Sequence, residues 1–223
     1  MRDGLRAGGL ALTVLGWSVL APRLPQRWNP LPQMAFGGAL AVLSRRSLGL
    51  RPPRLWRGVR WGSAVAVPVA AAVAATTLLP PVRAGMAARE LPASPARWLL
   101  LRIPLATVWS EEVAFRAALR TAAEQAWGPD AGNLFAATVF GLSHIPDARA
   151  AGDPVLGTVL VTGAAGWGLG RLHARSGSLA APMIVHLVLN EAGAVAALAI
   201  QRRRSARARP GRAARSAGRR SRS

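Results

Sequence analysis

The chain has no cysteine, no lysine and no tyrosine, and only nine of its 223 residues are acidic. Without cysteine there is no disulfide framework, no thiolate metal centre and no cysteine nucleophile. Without lysine all 29 basic residues are arginines, and the formal net charge is +20. What the sequence has instead is apolar surface. It is 51% hydrophobic, too much for a chain that is disordered throughout. Mean hydropathy is a modest +0.24, but the charge is clustered. Residues 202–223 hold ten arginines and no acid, half of the net charge. Ahead of them lies apolar helix material broken by short Arg/Pro/Gly loops.

Seven stretches, at 5–21, 31–43, 59–79, 97–121, 131–145, 154–170 and 178–200, approach the roughly 20 apolar residues that cross a hydrocarbon core of about 30 Å. The expected fold is all-α, a polytopic transmembrane helical bundle of about six to eight spans. Trp28, Trp56, Trp61, Trp98 and Trp127 fall near the proposed ends, where amphipathic indoles prefer to lie. The N-terminus, with Arg2 and Arg6 and then an apolar run, resembles a signal sequence, but Pro22 after Ala21 disfavours a cut, so an uncleaved span is expected.

Three regions follow: 1–95 with the first spans and an Arg-rich loop, 96–200 with the polar motifs, and a disordered Arg-rich tail at 201–223. The tail has no apolar face to bury and suits anionic lipid. It lacks the interleaved aromatics and the folded module of a nucleic-acid binder. The loop at 45–60 carries six arginines and no acid, so both it and the tail are expected to be cytoplasmic. Five intervening spans conflict with that. A broken seventh helix, around Asn190, Glu191 and Gly193, is one way to restore parity.

The ionisable residues inside apolar stretches carry the functional signal, because such groups are costly in lipid and are kept paired or functional. Glu111 and Glu112 stand midway along the fourth stretch, with Arg116 one turn after Glu112, which makes an ion pair available. Glu111 points about 100° away and has no such partner. Phe140 and His144 end the fifth stretch, where Pro146 disfavours helix at Ile145. His186 and Asn190 are one turn apart in the seventh. Both can donate to a developing oxyanion, and the imidazole can instead bind a metal. Alone, the first and third motifs also read as interhelical pairs and His144 as a cap or interface residue. His173, outside the motifs, reads as solvated or facing headgroups.

In the order EExxxR, FxxxH, HxxxN, over Trp98 to Ala196, the sequence resembles the CAAX proteases and bacteriocin-processing enzymes, also called Abi or type II CAAX prenyl protease-like intramembrane proteases. Gly166-Trp167-Gly168-Leu169-Gly170-Arg171 and Ser176-Gly177-Ser178-Leu179 before Pro182 add to the resemblance. It implies an intramembrane endopeptidase. Glu111 would be the base that activates water, assisted by His144. His186 and Asn190 would stabilise the oxyanion, and Glu112 and Arg116 would hold the helix in register. The family is commonly labelled metalloprotease, and Glu111, His144 and His186 offer three ligands for Zn²⁺. The expected substrate is a membrane-associated peptide or protein. The Ala/Arg-rich, lysine-free composition suggests a GC-rich bacterial source and its inner membrane, so the prenylated eukaryotic substrates are not carried over. The rival is a non-catalytic membrane scaffold or immunity-type protein, which needs Glu112 and Arg116 but has no use for Glu111.

Overall fold

The computed structural model describes residues 2–25, 30–44 and 48–208. Among them all regular structure is helical, and all seven apolar stretches are helices. They are α1 (Arg2–Leu20), α2 (Leu31–Ser44), α3 (Arg54–Thr76), α5 (residues 95–127), α6 (Pro129–Ser143), α8 (Val155–Ser176) and α9 (Ala180–Ala208). Two short helices, α4 (Pro80–Ala88) and α7 (Ile145–Ala151), lie in the connections. Four helices are long and apolar enough to cross a membrane: Arg2–Arg23, Arg54–Thr76, Val155–Ser176 and Ala180–Ala206. The protein is an integral membrane helical bundle. Trp28 and the tail residues 209–223 lie outside the described residues.

Small residues let the helices approach closely, which in lipid is a main source of helix–helix attraction. A Cβ on Gly58 of α3 would lie 2.5 Å from Ser178 Oγ, and one on Gly62 would lie 2.9 Å from the Ala181 carbonyl. On α6 and α8, a Cβ at Gly141 would meet the Val159 carbonyl at 2.5 Å, and one at Gly166 would meet the Phe140 ring at 2.7 Å. The connector before α9 is pinned to the N-terminal half. Ser178 Oγ donates to the Gly49 carbonyl (2.7 Å) and the Leu179 N–H to the Leu48 carbonyl (2.9 Å). Gly49 has φ +66°, and a Cβ there would sit 2.3 Å from the Gly177 carbonyl, so both space and backbone require glycine.

These contacts also fix direction. Gly4 of α1 neighbours Trp127 at the end of α5, and Arg6 donates to the Leu43 carbonyl at the end of α2. The long helices α1, α2, α3, α5, α6, α8 and α9 therefore alternate in direction, and α3 runs parallel to α9. Arg51, Arg54, Arg57 and Arg60 lie at one end and Gln201 at the other, where its carboxamide donates to the Met86 and Arg89 carbonyls. This overturns the expectation that the 45–60 loop and the tail share a side. Nor is the last helix broken. It runs without interruption past Asn190 and Gly193 and continues through Gln201 to Ala208, beyond the point where the apolar pattern stops.

The main core joins Ala11 and Val14 of α1, Leu40 of α2, Val113 to Leu119 of α5, and Ala136, Val139 and Phe140 of α6. The helices ahead of the polar motifs thus pack around them. Helix α5 is π-type over Trp98–Trp109 and Glu112–Leu119. Such wide turns often mark functional sites, and these flank Ser110 and Glu111.

Candidate active site

Glu112 is fully buried at the centre of the bundle. Its Oε2 lies 3.2 Å from Arg116 Nε, so the expected ion pair is formed. Its Oε1 lies 2.7 Å from Nδ1 of His186, a partner that sequence reasoning did not assign. A carboxylate only accepts, so His186 Nδ1 carries the proton. The other ring nitrogen, Nε2, then faces Glu111, 3.9 Å from its Oε2. Arg116 is buried too, and its two terminal nitrogens have no hydrogen-bond partner. Its guanidinium instead lies over the Phe140 ring, 4.3 Å from the centroid, the arrangement of a cation–π contact.

Phe140 ties the three motifs together. Its ring contacts Phe115 edge-on at 4.8 Å, His144 at 4.7 Å and His186 at 6.3 Å. Its carbonyl accepts from His144 Nδ1 at 2.7 Å and from Ser143 Oγ at 2.8 Å. A carbonyl cannot donate, so the His144 proton sits on Nδ1 and Nε2 is the nitrogen left to exchange one. His144 is the residue at which α6 ends, but Ile145 opens α7 with Pro146 in its first turn, so Pro146 does not keep Ile145 out of helix as expected.

Glu111 differs from its neighbour. It is 28% exposed and lines a cavity of about 220 Å³ together with Ser143 and His144. Its Oε2 is buried without a hydrogen-bond partner. The cavity is walled by Trp17, Gln33 and Phe36 from α1 and α2, and by Arg102 and Asp147. Sequence reasoning missed all five. Gln33 and Arg102 carried a signal, as lone polar groups in apolar helices. Ser110 also lines it, with its hydroxyl turned back to the Ala106 carbonyl.

Asn190 lies where the HxxxN spacing puts it, but its carboxamide N–H donates to the carbonyl of His186, 3.0 Å away. It does not line the Glu111 cavity. Nor do Glu111, His144 and His186 form a metal-binding set: among the described residues no group of three or more His, Asp and Glu side chains is placed to hold an ion. His173 is not solvated. Its Nδ1 lies 3.2 Å from Nη1 of the buried Arg120, which also donates to Asn133 Oδ1 (3.1 Å) and pairs with Glu124. Asn133 in turn donates to the Trp167 carbonyl at 3.2 Å. This network clamps α5, α6 and α8 one turn beyond Arg116.

No curated protein and no solved structure matches the chain significantly. A family model does, over residues 93–192, which include every residue of the cluster and the cavity's Glu111 and His144. The family it describes is type II CAAX prenyl endopeptidase Rce1-like, and this part of the chain is similar to it.

Proposed function

We propose that the protein is an intramembrane endopeptidase of the bacterial inner membrane that hydrolyses a peptide bond in a membrane-associated peptide or protein with an activated water. The observation that carries this reading is Glu111, a carboxylate that opens on a cavity shared with His144 and has a buried oxygen that makes no hydrogen bond. A scaffold has no use for such a group, and a general base needs one. In the reaction Glu111 takes a proton from water as its oxygen attacks the scissile carbonyl carbon. The tetrahedral oxyanion forms, the C–N bond breaks, and the proton on Glu111 passes to the leaving amine. His144, its Nδ1–H held by the Phe140 carbonyl, keeps Nε2 free to orient the water or relay that proton.

His186 stabilises the oxyanion best as an imidazolium. With Nδ1–H given to Glu112, a donor at Nε2 needs a second proton. The charges then balance: Glu112 with Arg116, and His186 with Glu111. Asn190 adds a donor through its second amide hydrogen, the first being given to the His186 carbonyl. Glu112 and Arg116 hold His186 and act as positioning residues. The candidate metal ligands do not form a three-donor set, so each step is assigned to this chain's own side chains.

The test compares cells carrying the wild-type chain with cells carrying Glu111→Gln at equal membrane levels. The termini of membrane polypeptides are mapped by mass spectrometry. New termini present with the wild type and lost with Glu111→Gln support hydrolysis. Identical termini in both would sink it and leave the scaffold reading.

A further inference from the structure

A second concavity, of about 500 Å³, is lined in part by His186, which does not line the Glu111 cavity. Its walls are Trp61, Val65 and Val69 of α3, Trp167, Leu169 and Leu172 of α8, and Val185 and Leu189 of α9. His186 is part of its lining, and Arg171 and Arg175 complete it. The volume falls within the roughly 300–1,000 Å³ of small-molecule sites. Three features distinguish it from an ordinary seam. All three walls are helices long and apolar enough to cross a membrane, so the neighbour expected beside it is lipid. Both indoles are exposed, Trp61 and Trp167 alike, as amphipathic rings are at an interface. Its two charges sit in the last two turns of α8, at the end of the bundle that also carries Arg54, Arg57 and Arg60.

The two arginines differ in their commitments. Arg171 packs on the Trp167 ring, 5.5 Å from its centroid, and pairs with the exposed Asp130. Arg175 is exposed, and no acid among the described residues pairs with it. Such a cleft, apolar along its depth and cationic at the rim, is complementary to a molecule with hydrocarbon chains below an anionic head. Basic pockets between spanning helices hold anionic lipid headgroups on the same principle.

We infer that the α3–α8–α9 groove is a binding site for an anionic glycerophospholipid of the host bilayer, with its phosphate on Arg175 and Arg171 and an acyl chain reaching toward His186. The site does not depend on the hydrolytic reading, because its occupant is read by binding rather than by turnover.

The indoles at the groove supply the readout. The full chain is reconstituted in phosphatidylcholine bilayers, and a fraction of the lipid is replaced by phosphatidylglycerol with brominated acyl chains, which quench tryptophan on contact. Brominated phosphatidylcholine at the same mole fraction is the reference. Phosphatidylglycerol is expected to quench more strongly at every fraction, and Trp61→Phe/Trp167→Phe removes the difference. Each arginine is worth roughly fivefold in relative lipid affinity, so Arg175→Gln lowers the preference by about that factor and Arg171→Gln/Arg175→Gln abolishes it. Three results overturn the inference. One is equal quenching by the two lipids. A second is a preference unchanged in the double arginine variant, which would assign it to the general positive charge. The third is a dimer by native mass spectrometry that shields both indoles from either lipid, which would make the groove an interface between copies. Circular dichroism on each variant verifies that the helices persist.

Discussion

Glu111 and Glu112 are neighbours in sequence and opposites in environment. Glu112 is fully buried and meets Arg116 and His186 at 3.2 and 2.7 Å. Glu111 is 28% exposed, opens on a cavity and has its nearest counter-charge, His186 Nε2, 3.9 Å away. One helix therefore carries a dry face with close charge partners and a wet one that opens on a cavity. The dry face includes the Phe140 ring that covers Arg116 and exists to hold His186. In the proposed reaction the wet face is where water and the peptide carbonyl meet. The pair teaches that an acid in lipid is bearable for two different reasons. A structural acid has its charge cancelled by neighbours. A reactive one keeps a cavity, and the surrounding fold carries the cost.

The sharpest way to break this contrast is to remove charge from the dry face. Glu112→Gln leaves Arg116 uncompensated, and Arg116→Ala leaves Glu112 so, each at a cost of about 3–5 kcal/mol. Both variants are expected to lose most of their folded, membrane-inserted yield, and activity with it. Size-exclusion profiles in mild detergent measure that yield. Full yield for Glu112→Gln would mean that the ion pair is not what holds the bundle there.

On the wet face the effect falls on chemistry. Glu111→Gln keeps shape and removes only the base, so yield holds while turnover per folded molecule falls by about 10²–10⁴-fold. His144→Ala is expected to behave in the same way. Asn190→Ala removes a donor that can turn toward the oxyanion, with an expected loss of about 10²–10³-fold. A peptide recovered from the comparison of cellular termini serves as substrate for these rates. Wild-type turnover from Glu111→Gln beside a folded, inactive Glu112→Gln would exchange the two roles.

Much of this was legible in the sequence, for physical reasons that differ by residue. The seven helices were visible because apolar runs in lipid have little alternative to helix. Glu112 and Arg116 were visible because i,i+4 spacing is local. The bond from Glu112 to His186 spans 74 positions, and no local rule pairs them. His173 was misread because Arg120, which meets it, lies on another helix, as does Asn133, which holds Arg120. Topology failed on charge. Arg83, Arg89 and Arg202 to Arg204 lie at the end opposite Arg51, Arg54, Arg57 and Arg60, so arginine marks both ends. Reporter fusions after Leu50 and after Gln201 are accordingly expected on opposite sides.

The smallest effect separates packing from chemistry within one turn of α8. Gly168 and Gly170 both belong to the Gly-Trp-Gly-Leu-Gly segment and both lie in the interior of a helix. A Cβ on Gly168 meets nothing within 4 Å. Gly168→Ala therefore adds no clash and relieves the conformational penalty of glycine in a helix, for a gain of about 0.5–1 kcal/mol. A Cβ on Gly170 would fall 1.9 Å from Asn133 Oδ1 and 3.3 Å from the Arg120 side chain. Asn133 cannot step aside cheaply, because its oxygen accepts from Arg120 Nε and its nitrogen donates to the Trp167 carbonyl. Gly170→Ala is therefore expected to cost about 1–3 kcal/mol, as overpacking does. The clamp lies away from the Glu111 cavity, so turnover per folded molecule should stay near wild type in both variants. Thermal unfolding in detergent measures the first effect and the peptide assay the second. A Gly170→Ala protein as stable as Gly168→Ala would show that the Arg120–Asn133 clamp does not hold α8 against α6.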